Sequence, residues 1–210
     1  MDVFLHKGQV WSAKSVILPI RIKIEKISVM ETYKTYKHNP PHLFSPSSKY
    51  FITGAIYQKR MLLQSDEAKQ RLIQSLQQGF NSKGWKLEDW VAMHNHYHLM
   101  AESPENVGSL PGIMRDIHKF SAMWMRKNVP AAAGLEKIWW NYWDTCITYE
   151  RSYFTRLNYL WYNPQKHGMI ENAEAWEFGS LYHRIQEEDQ YIKTLREGYP
   201  FDSVKVRDDF

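Results

Sequence analysis

The alternation of strand-like and helix-like segments between residues 50 and 162 most constrains how this 210-residue chain can fold. Strand-like segments are rich in β-branched and aromatic residues, whereas helix-like segments repeat apolar residues every three or four positions. Strands are predicted at 50–57, 87–93, 96–101 and 138–148, and helices at 66–81, 110–127 and 150–162. This order predicts an α+β fold: a ferredoxin-like, split βαβ antiparallel sheet with helices on one face and an added C-terminal helix.

The expected ends of two helices depend on single residues. Ser65 is a candidate N-cap for the first helix, because its hydroxyl can accept a hydrogen bond from a free backbone N–H. Asn163-Pro164 is expected to end the third helix at Tyr162, because the residue before a proline is disfavoured in the helical region.

The flanking segments differ in composition from the central region. Residues 1–45 are predicted to form an N-terminal arm without sustained periodicity, and Met30 is an alternative start. Residues 46–170 form the predicted domain. The tail at 171–210 is acidic, with five Lys/Arg against ten Asp/Glu, a net charge of −5.

The central region is basic, and this indicates a polyanionic partner. Residues 50–170 hold fourteen Lys/Arg and ten Asp/Glu, a net charge of +4. Lys and Arg gain affinity for nucleic acid by releasing counterions from phosphates. No apolar run is long enough for a transmembrane helix, so no membrane partner is expected. The single Cys146 excludes an internal disulfide and a cysteine-based zinc site, and a cytoplasmic setting is the expected default.

The string His94-Asn95-His96-Tyr97-His98 is the most informative one for chemistry. Side chains two apart in a strand share a face, so His96 and His98 lie about 6.6 Å apart along the predicted strand and can share one metal ion. Imidazole suits Zn, Mn, Fe or Ni, and Mg prefers oxygen, so the two histidines leave the metal open. The alternative is a polar strand edge without a metal.

Tyr159 and Asn163 are four residues apart and therefore share one face of the predicted third helix. Asn163 offers an amide oxygen as a further ligand, and Tyr159 offers a phenolic nucleophile that a metal-polarised electrophile would make useful. Tyr153 and Tyr162 compete for the nucleophile's role by residue type. The alternative for Tyr159 is a packing role on an amphipathic helix.

Aromatic and basic side chains supply candidate DNA contacts, since rings can stack on unpaired bases. The candidates are Trp139, Trp140, Tyr142, Trp143, Arg115 and Lys119. Strand alternation assigns about half of the rings to a core. His118, His167 and His183 are expected to be isolated surface or helix-end residues.

Two strings resemble motifs of the single-tyrosine HUH transposases. Residues 93–100 (MHNHYHLM) are similar to Met-Pro-Asn-His-x-His-Leu-Leu, and residues 159–168 (YLWYNPQKHG) are similar to Tyr-Ile-x-x-Asn-Pro-Val-Lys-x-Gly of the REP-associated tyrosine transposases. Residues 50–53 and 139–144 match the same subgroup. His94 stands where the family usually has proline, which alters the turn and leaves open which two histidines bind metal. Gln165 replaces the commoner valine.

The resemblance implies a function for the domain at 46–170. It implies a transposase-like enzyme that nicks and rejoins single-stranded hairpin DNA of inverted-repeat elements through a 5′-phosphotyrosine. Mg²⁺ or Mn²⁺ would be the cofactor, with His96, His98 and Asn163 as ligands and Tyr159, on the added helix, as nucleophile. Relatives act as monomers or homodimers. The alternatives are a catalytically idle, domesticated DNA-binding protein of the same fold and an unrelated His-metal hydrolase.

Overall fold

The computed structural model of the chain describes residues 33–34, 42–43, 45–186, 192, 198 and 199. Most of the predicted N-terminal arm and the second half of the acidic tail lie outside these residues. The strands are β1 (Tyr33–Lys34), β2 (His42–Leu43), β3 (Lys49–Ala55), β4 (Lys86–Ala92), β5 (His96–Glu102) and β6 (Trp143–Ile147). The helices are α1 (Asp66–Asn81), α2 (Leu110–Asn128), α3 (Glu150–Lys166) and α4 (Ser180–Gln186).

The main sheet has four antiparallel strands in the order β4-β5-β3-β6. Strands β3 and β4 flank β5 and are joined through α1, which is the split βαβ arrangement. The predicted ferredoxin-like fold is therefore confirmed. Strands β1 and β2 pair with each other in a separate two-stranded sheet.

The start of α1 follows the sequence-based prediction. The Ser65 hydroxyl accepts a hydrogen bond from the backbone N–H of Ala68 at 3.2 Å. That bond satisfies one of the donors left free at a helix N-terminus. The apolar positions Leu72, Leu76 and Phe80 are buried on one stripe of the helix.

The strands place apolar side chains on both faces of the sheet, and helices cover each face. Helices α1 and α2 pack over one face, where Tyr50, Ile52, Tyr97 and Leu99 are buried. Helix α3 packs over the other face, against residues such as Phe51, Val91 and Met100. His96 and His98 belong to this second face, because residues of β5 two apart point the same way as Met100.

Two boundaries differ most from the prediction. Helix α3 continues through Pro164 to Lys166. A proline in the last turn removes one backbone hydrogen bond, and the burial of Asn163 and Pro164 against the sheet offsets that loss. The strand predicted at 138–148 is shorter and begins at Trp143, because the segment before it leaves the ladder after a single bridge between Ile56 and Trp139.

The segment after α3 packs against β4, one of the two edge strands of the main sheet. Ala92 N–H donates to the Phe178 carbonyl at 2.9 Å, and Gly179 bridges Val91. Pairing of this kind protects an exposed sheet edge. Within the part of the chain that the structure describes, no helix is both long and apolar enough to cross a membrane.

Asp89 joins the edge strand to both C-terminal helices. Its carboxylate is fully buried and accepts hydrogen bonds from Trp161 Nε1 of α3 at 3.0 Å and Ser180 Oγ of α4 at 2.7 Å. Arg184 of α4 adds a bidentate ion pair with both N···O distances at 2.8 Å. The carboxylate therefore fixes α3 and α4 relative to the sheet.

Candidate active site

His96 and His98 lie side by side on β5, with 5.0 Å between their ring centroids. His96 is 3% exposed and His98 is fully buried. His98 pairs with Thr53 on one side and Val91 on the other, so both imidazoles stand in the middle of the sheet face rather than at a polar edge.

An oxygen atom from the sheet side contacts the Nδ1 atom of each imidazole. His96 Nδ1 lies 2.7 Å from Asn95 Oδ1, and His98 Nδ1 lies 2.8 Å from Thr53 Oγ1. Hydrogen bonds at one ring nitrogen fix the orientation of the ring and the tautomer, and they direct the other nitrogen away. The Nε2 atom of His96 is thereby directed towards α3, where it lies 3.1 Å from Asn163 Oδ1.

Helix α3 brings Tyr159 and Asn163 to the two histidines. Asn163 Oδ1 lies 3.1 Å from His96 Nε2, and the Tyr159 ring is edge-on to His98 with 5.4 Å between centroids. Both α3 residues are fully buried. Because the helix packs this face on the sheet, residues that are four apart in sequence reach the same pair of rings.

Two further residues at the end of α3 join this site, and the sequence reasoning missed both. Lys166 Nζ lies 3.4 Å from the Tyr159 hydroxyl and 4.4 Å from the centroid of its ring. The ring of His167 is 5.2 Å from that of His96. Lys166 is seven residues after Tyr159, a spacing of about two helical turns that could have indicated the contact. His167 is the exposed C-cap of the longer helix, in agreement with the expected helix-end position, but it is not isolated, because its ring contacts His96.

Burial keeps the histidines of the site neutral. Burial lowers the pKa of His96 to about 4, and the nearby His167 and Lys166 act in the same direction, whereas the Asn163 contact opposes them. The pKa of His98 is held well below its ordinary value, by burial first and then by His96, His167 and Lys166. Neutral imidazole is the form that coordinates metal ions.

Tyr153 and Tyr162, the other candidate nucleophiles of α3, have different surroundings from Tyr159. Tyr153 donates a hydrogen bond to Glu88 at 3.2 Å at the other end of the sheet, and burial raises its pKa. Tyr162 is half-buried on another side of α3. The ring of Tyr159 contacts His98.

Among the described residues, no group of three or more His, Cys, Asp and Glu side chains is arranged to hold a metal ion. A cation at this site would have to use the two imidazoles and an oxygen that does not come from a carboxylate. The Asn163 amide oxygen, 3.1 Å from His96 Nε2, is the candidate that the geometry offers.

The structure places the six predicted DNA-contact residues in different parts of the molecule. Trp139 is 7% exposed, donates from Nε1 to Ser121 Oγ and stacks on His118 at 4.5 Å, so the structure places its ring in the core. The ring packs towards α2, which carries both Ser121 and His118. Tyr142 packs half-buried on the same core.

His118 is a packing residue rather than an isolated surface residue. Its imidazole lies between Trp139 and the hydroxyl of Tyr97, which is 2.7 Å from Nε2. Burial lowers its pKa to about 3. His183 is exposed, as expected.

The remaining candidates lie on opposite faces of the sheet. Trp143 is half-buried and pairs with Thr53, so it is on the histidine face. Trp140 is half-buried against Tyr57. Arg115 and Lys119 are exposed on α2, on the opposite side of the sheet from His96 and His98. Any contact that they make with DNA is therefore remote from the histidine pair.

The fold and this site define a class: an α+β protein with a His-x-His strand facing a tyrosine-bearing helix. The family model described as "Transposase IS200 like" matches residues 44–159, more than half of the chain. The chain therefore belongs to the IS200-like transposase family.

Two relatives agree with the resemblance to REP-associated tyrosine transposases. The REP-associated tyrosine transposase of Escherichia coli (strain K12) is 28% identical over 101 residues, which cover 48% of this chain and 56% of that protein. The match thus spans little more than half the length of that relative. The solved structure of a REP-associated tyrosine transposase bound to a REP hairpin has a TM-score of 0.55 and 22% identity, covering 86% of this chain and 95% of that one. At this identity the structural likeness supports the fold.

Proposed function

We propose that this protein cleaves and rejoins single-stranded DNA carrying a hairpin, through a covalent bond between Tyr159 and the 5′ phosphate of the cut strand. The observation that carries the proposal is the position of the Tyr159 ring against His98, beside the contact between His96 and Asn163. Membership of a transposase family supports DNA as the substrate. The relative solved with a REP hairpin supports a hairpin.

The protonation of His96 supports a divalent cation at the site. A neutral imidazole has one N–H, yet the two ring nitrogens of His96 each face an amide oxygen, of Asn95 at 2.7 Å and of Asn163 at 3.1 Å. If the shorter contact takes the proton, the lone pairs of Nε2 and Asn163 Oδ1 face each other. That arrangement is repulsive unless a cation lies between them.

The chemistry of the oxygen ligand also fits Mg²⁺ or Mn²⁺. His96 Nε2 and Asn163 Oδ1, which are 3.1 Å apart, would together hold the ion, and an amide oxygen is a ligand that Mg²⁺ and Mn²⁺ accept. His98 Nε2 would be the third ligand. A rotated Asn163 amide, donating from Nδ2 to His96, is the metal-free alternative.

In the proposed reaction, the Tyr159 oxygen attacks the scissile phosphorus in line with the departing 3′ oxygen. The P–O bond to the 3′ oxygen breaks, the bond to the tyrosine forms, and the phenolic proton ends on the 3′-OH. When bound, the cation supplies neutralisation of the phosphate charge and orients that phosphate. A 3′-OH that attacks the phosphotyrosine reverses these bond changes and releases Tyr159, so the rejoining step needs no external energy.

Lys166 has a defined part in this scheme. It is the exposed residue that lies over the buried phenol, with Nζ 3.4 Å from the hydroxyl. Its flexible side chain can move onto the incoming phosphate and open the way to Tyr159. Its positive charge favours the anionic phenolate-like oxygen during attack and rejoining.

The nucleophile is tested with the purified full chain and a hairpin oligonucleotide that carries single-stranded extensions. Tyr159→Phe is expected to abolish the protein–DNA adduct that survives denaturant, while hairpin binding remains. Tyr153→Phe and Tyr162→Phe are the matched controls and should keep the adduct. An adduct in the Tyr159→Phe protein would mean that another residue is the nucleophile. An intact protein that binds DNA but never forms an adduct would favour the catalytically idle alternative.

The cation is tested by chelation and by titration. EDTA and the variants His96→Ala and His98→Ala should each remove cleavage, whereas His94→Ala should retain most of it, because His94 lies before β5 and its ring contacts Trp176. Calorimetry with Mn²⁺ should give a binding signal that Asn163→Leu weakens. Cleavage that is undiminished in EDTA would contradict the metal model and favour the rotated amide.

A further inference from the structure

A pair of aromatic rings with a lysine over both lies beside the candidate active site. Tyr57 and Trp140 are 4.5 Å apart between ring centroids, with 61° between their planes. Lys137 Nζ is 4.3 Å from the Trp140 centroid and 4.7 Å from the Tyr57 centroid. The two rings are half-buried and the lysine is exposed. We refer to these three residues as the ring platform.

The backbone places the ring platform next to His96. Ala55 pairs with His96 in the sheet, and its carbonyl accepts a hydrogen bond from the Trp140 N–H at 2.9 Å. The neighbouring Ile56 N–H donates to the Asn95 carbonyl at 2.7 Å. The platform thus begins two residues beyond Ala55, the strand position opposite the candidate metal ligand.

A strained loop connects Tyr57 to the side chain that orients His96. Gln58 and Lys59 have left-handed φ values of 59° and 56°, a conformation that non-glycine residues seldom adopt. The carbonyl of Lys59 accepts a hydrogen bond from Asn95 Nδ2 at 3.4 Å. Such strain persists where the surroundings require it and is concentrated at functional sites.

Two features of the ring platform point to a polyanionic ligand with flat, polar groups. Lys137 lies over Tyr57, and two further basic residues, Lys59 and Arg60, follow Tyr57 within three positions. The Trp140 Nε1 atom is buried and has no hydrogen-bond partner among the described residues, an arrangement that costs free energy until an acceptor is supplied.

We propose that the ring platform binds one unpaired nucleotide of the DNA next to the cleaved phosphate, with its base on the face of Trp140 and its phosphate on Lys137. This inference rests on the proposed function and adds the subsite that holds the strand entering the active site. An unpaired base offers a free π-face and polar edge atoms, whereas the bases of a duplex are already stacked on their neighbours. The strand bound there would meet the loop that holds Asn95, and so His96.

The test uses the full chain with Tyr159→Phe, so that the strand stays uncut. The probe is a hairpin oligonucleotide with single-stranded extensions in which 2-aminopurine is moved one position at a time. Binding should quench the fluorescence strongly at one position, and Trp140→Leu should abolish that quenching. Affinity for the probe should fall about 5- to 150-fold, the range for losing one base stack. Lys137→Gln should reduce the slope of log K against log salt by about 0.7, the value for one phosphate contact on a single strand.

Matched controls remove the same groups at the far end of the sheet. Tyr149→Leu removes an exposed ring and Lys83→Gln an exposed charge, and neither should change the quenching or the salt slope. A thermal melt separates misfolding of the Trp140 variant from loss of stacking, and the exposed Lys137 provides a second variant that does not disturb the core. Parent-like quenching and salt dependence in both platform variants would overturn the inference. Adduct formation with Tyr159 intact is measured alongside, so that failure of the proposed chemistry is recorded separately.

Discussion

Replacing Asp89 with alanine should destabilise the protein and displace the helix that carries Tyr159. The change leaves the buried Trp161 Nε1 and the Ser180 hydroxyl without their acceptor and leaves Arg184 opposite an apolar side chain. Removing one partner of a buried ion pair costs about 3–5 kcal/mol. For a domain of this size that corresponds to a fall in melting temperature of about 6–20 °C. Asp89→Asn keeps one acceptor oxygen and should cost less, about 1.5–3 kcal/mol for the lost charged hydrogen bonds.

Urea denaturation and adduct formation measure the two consequences separately. Asp116→Ala is the control, because its ion pair with Arg115 is exposed and such pairs contribute about 0–1 kcal/mol. In the folded Asp89→Asn protein the rate of adduct formation should fall, because Trp161 is two residues from Tyr159 and a misplacement of about 1 Å can cost about 100-fold. An Asp89→Ala protein as stable as the parent, or an unchanged adduct rate in Asp89→Asn, would refute the assignment of Asp89 as the anchor of α3.

Two further predictions concern the titration of His118 on α2 and the positive charge of Lys166 on α3. His118 should lower the free energy of unfolding by about 2 kcal/mol between pH 7 and pH 5. The pKa of its imidazole is about 3 in the folded protein and 6.5 in the unfolded chain. Between these two pH values only the unfolded chain therefore takes up the proton, which favours unfolding. The pH dependence of urea denaturation should be shallower in His118→Gln, and an identical slope would contradict this. Lys166→Met should slow adduct formation about 100-fold if its ammonium acts as a preorganised charge at Tyr159, and Lys166→Arg should restore most of the rate. Equal single-turnover rates in the parent and Lys166→Met would exclude that role.

The fold could be predicted because local and tertiary preferences agree in most segments. The Ser65 cap and the apolar stripe of α1 place both ends of that helix. The prediction failed where packing overrides a local signal. Pro164 is a helix breaker by its own chemistry, yet α3 continues because the buried face that holds Tyr159 and Asn163 extends to the last turn. That burial depends on how α3 packs on the sheet, which the local sequence does not indicate.

The site could be predicted as far as it depends on spacing within one element. The pair His96 and His98, and the pair Tyr159 and Asn163, each follow from a single periodicity. Thr53 could not be predicted, because its contact with His98 depends on the register between two strands that are 45 residues apart in sequence. His167 was missed because the predicted helix ended too early to carry it to the site.

The two halves of the candidate site are held by different parts of the chain. The histidine half is set within the sheet, since Thr53 and Asn95 contact His98 and His96 through β3 and the turn before β5. The helix half depends on Asp89 and on α4, which lies beyond residues 44–159, the range matched by the family model. Asn163, the proposed oxygen ligand, also lies beyond that range. Substitutions in the C-terminal segment should therefore change the placement of Tyr159, while the histidine pair keeps its geometry. Relatives that share the His-x-His strand can accordingly differ in how α3 is anchored.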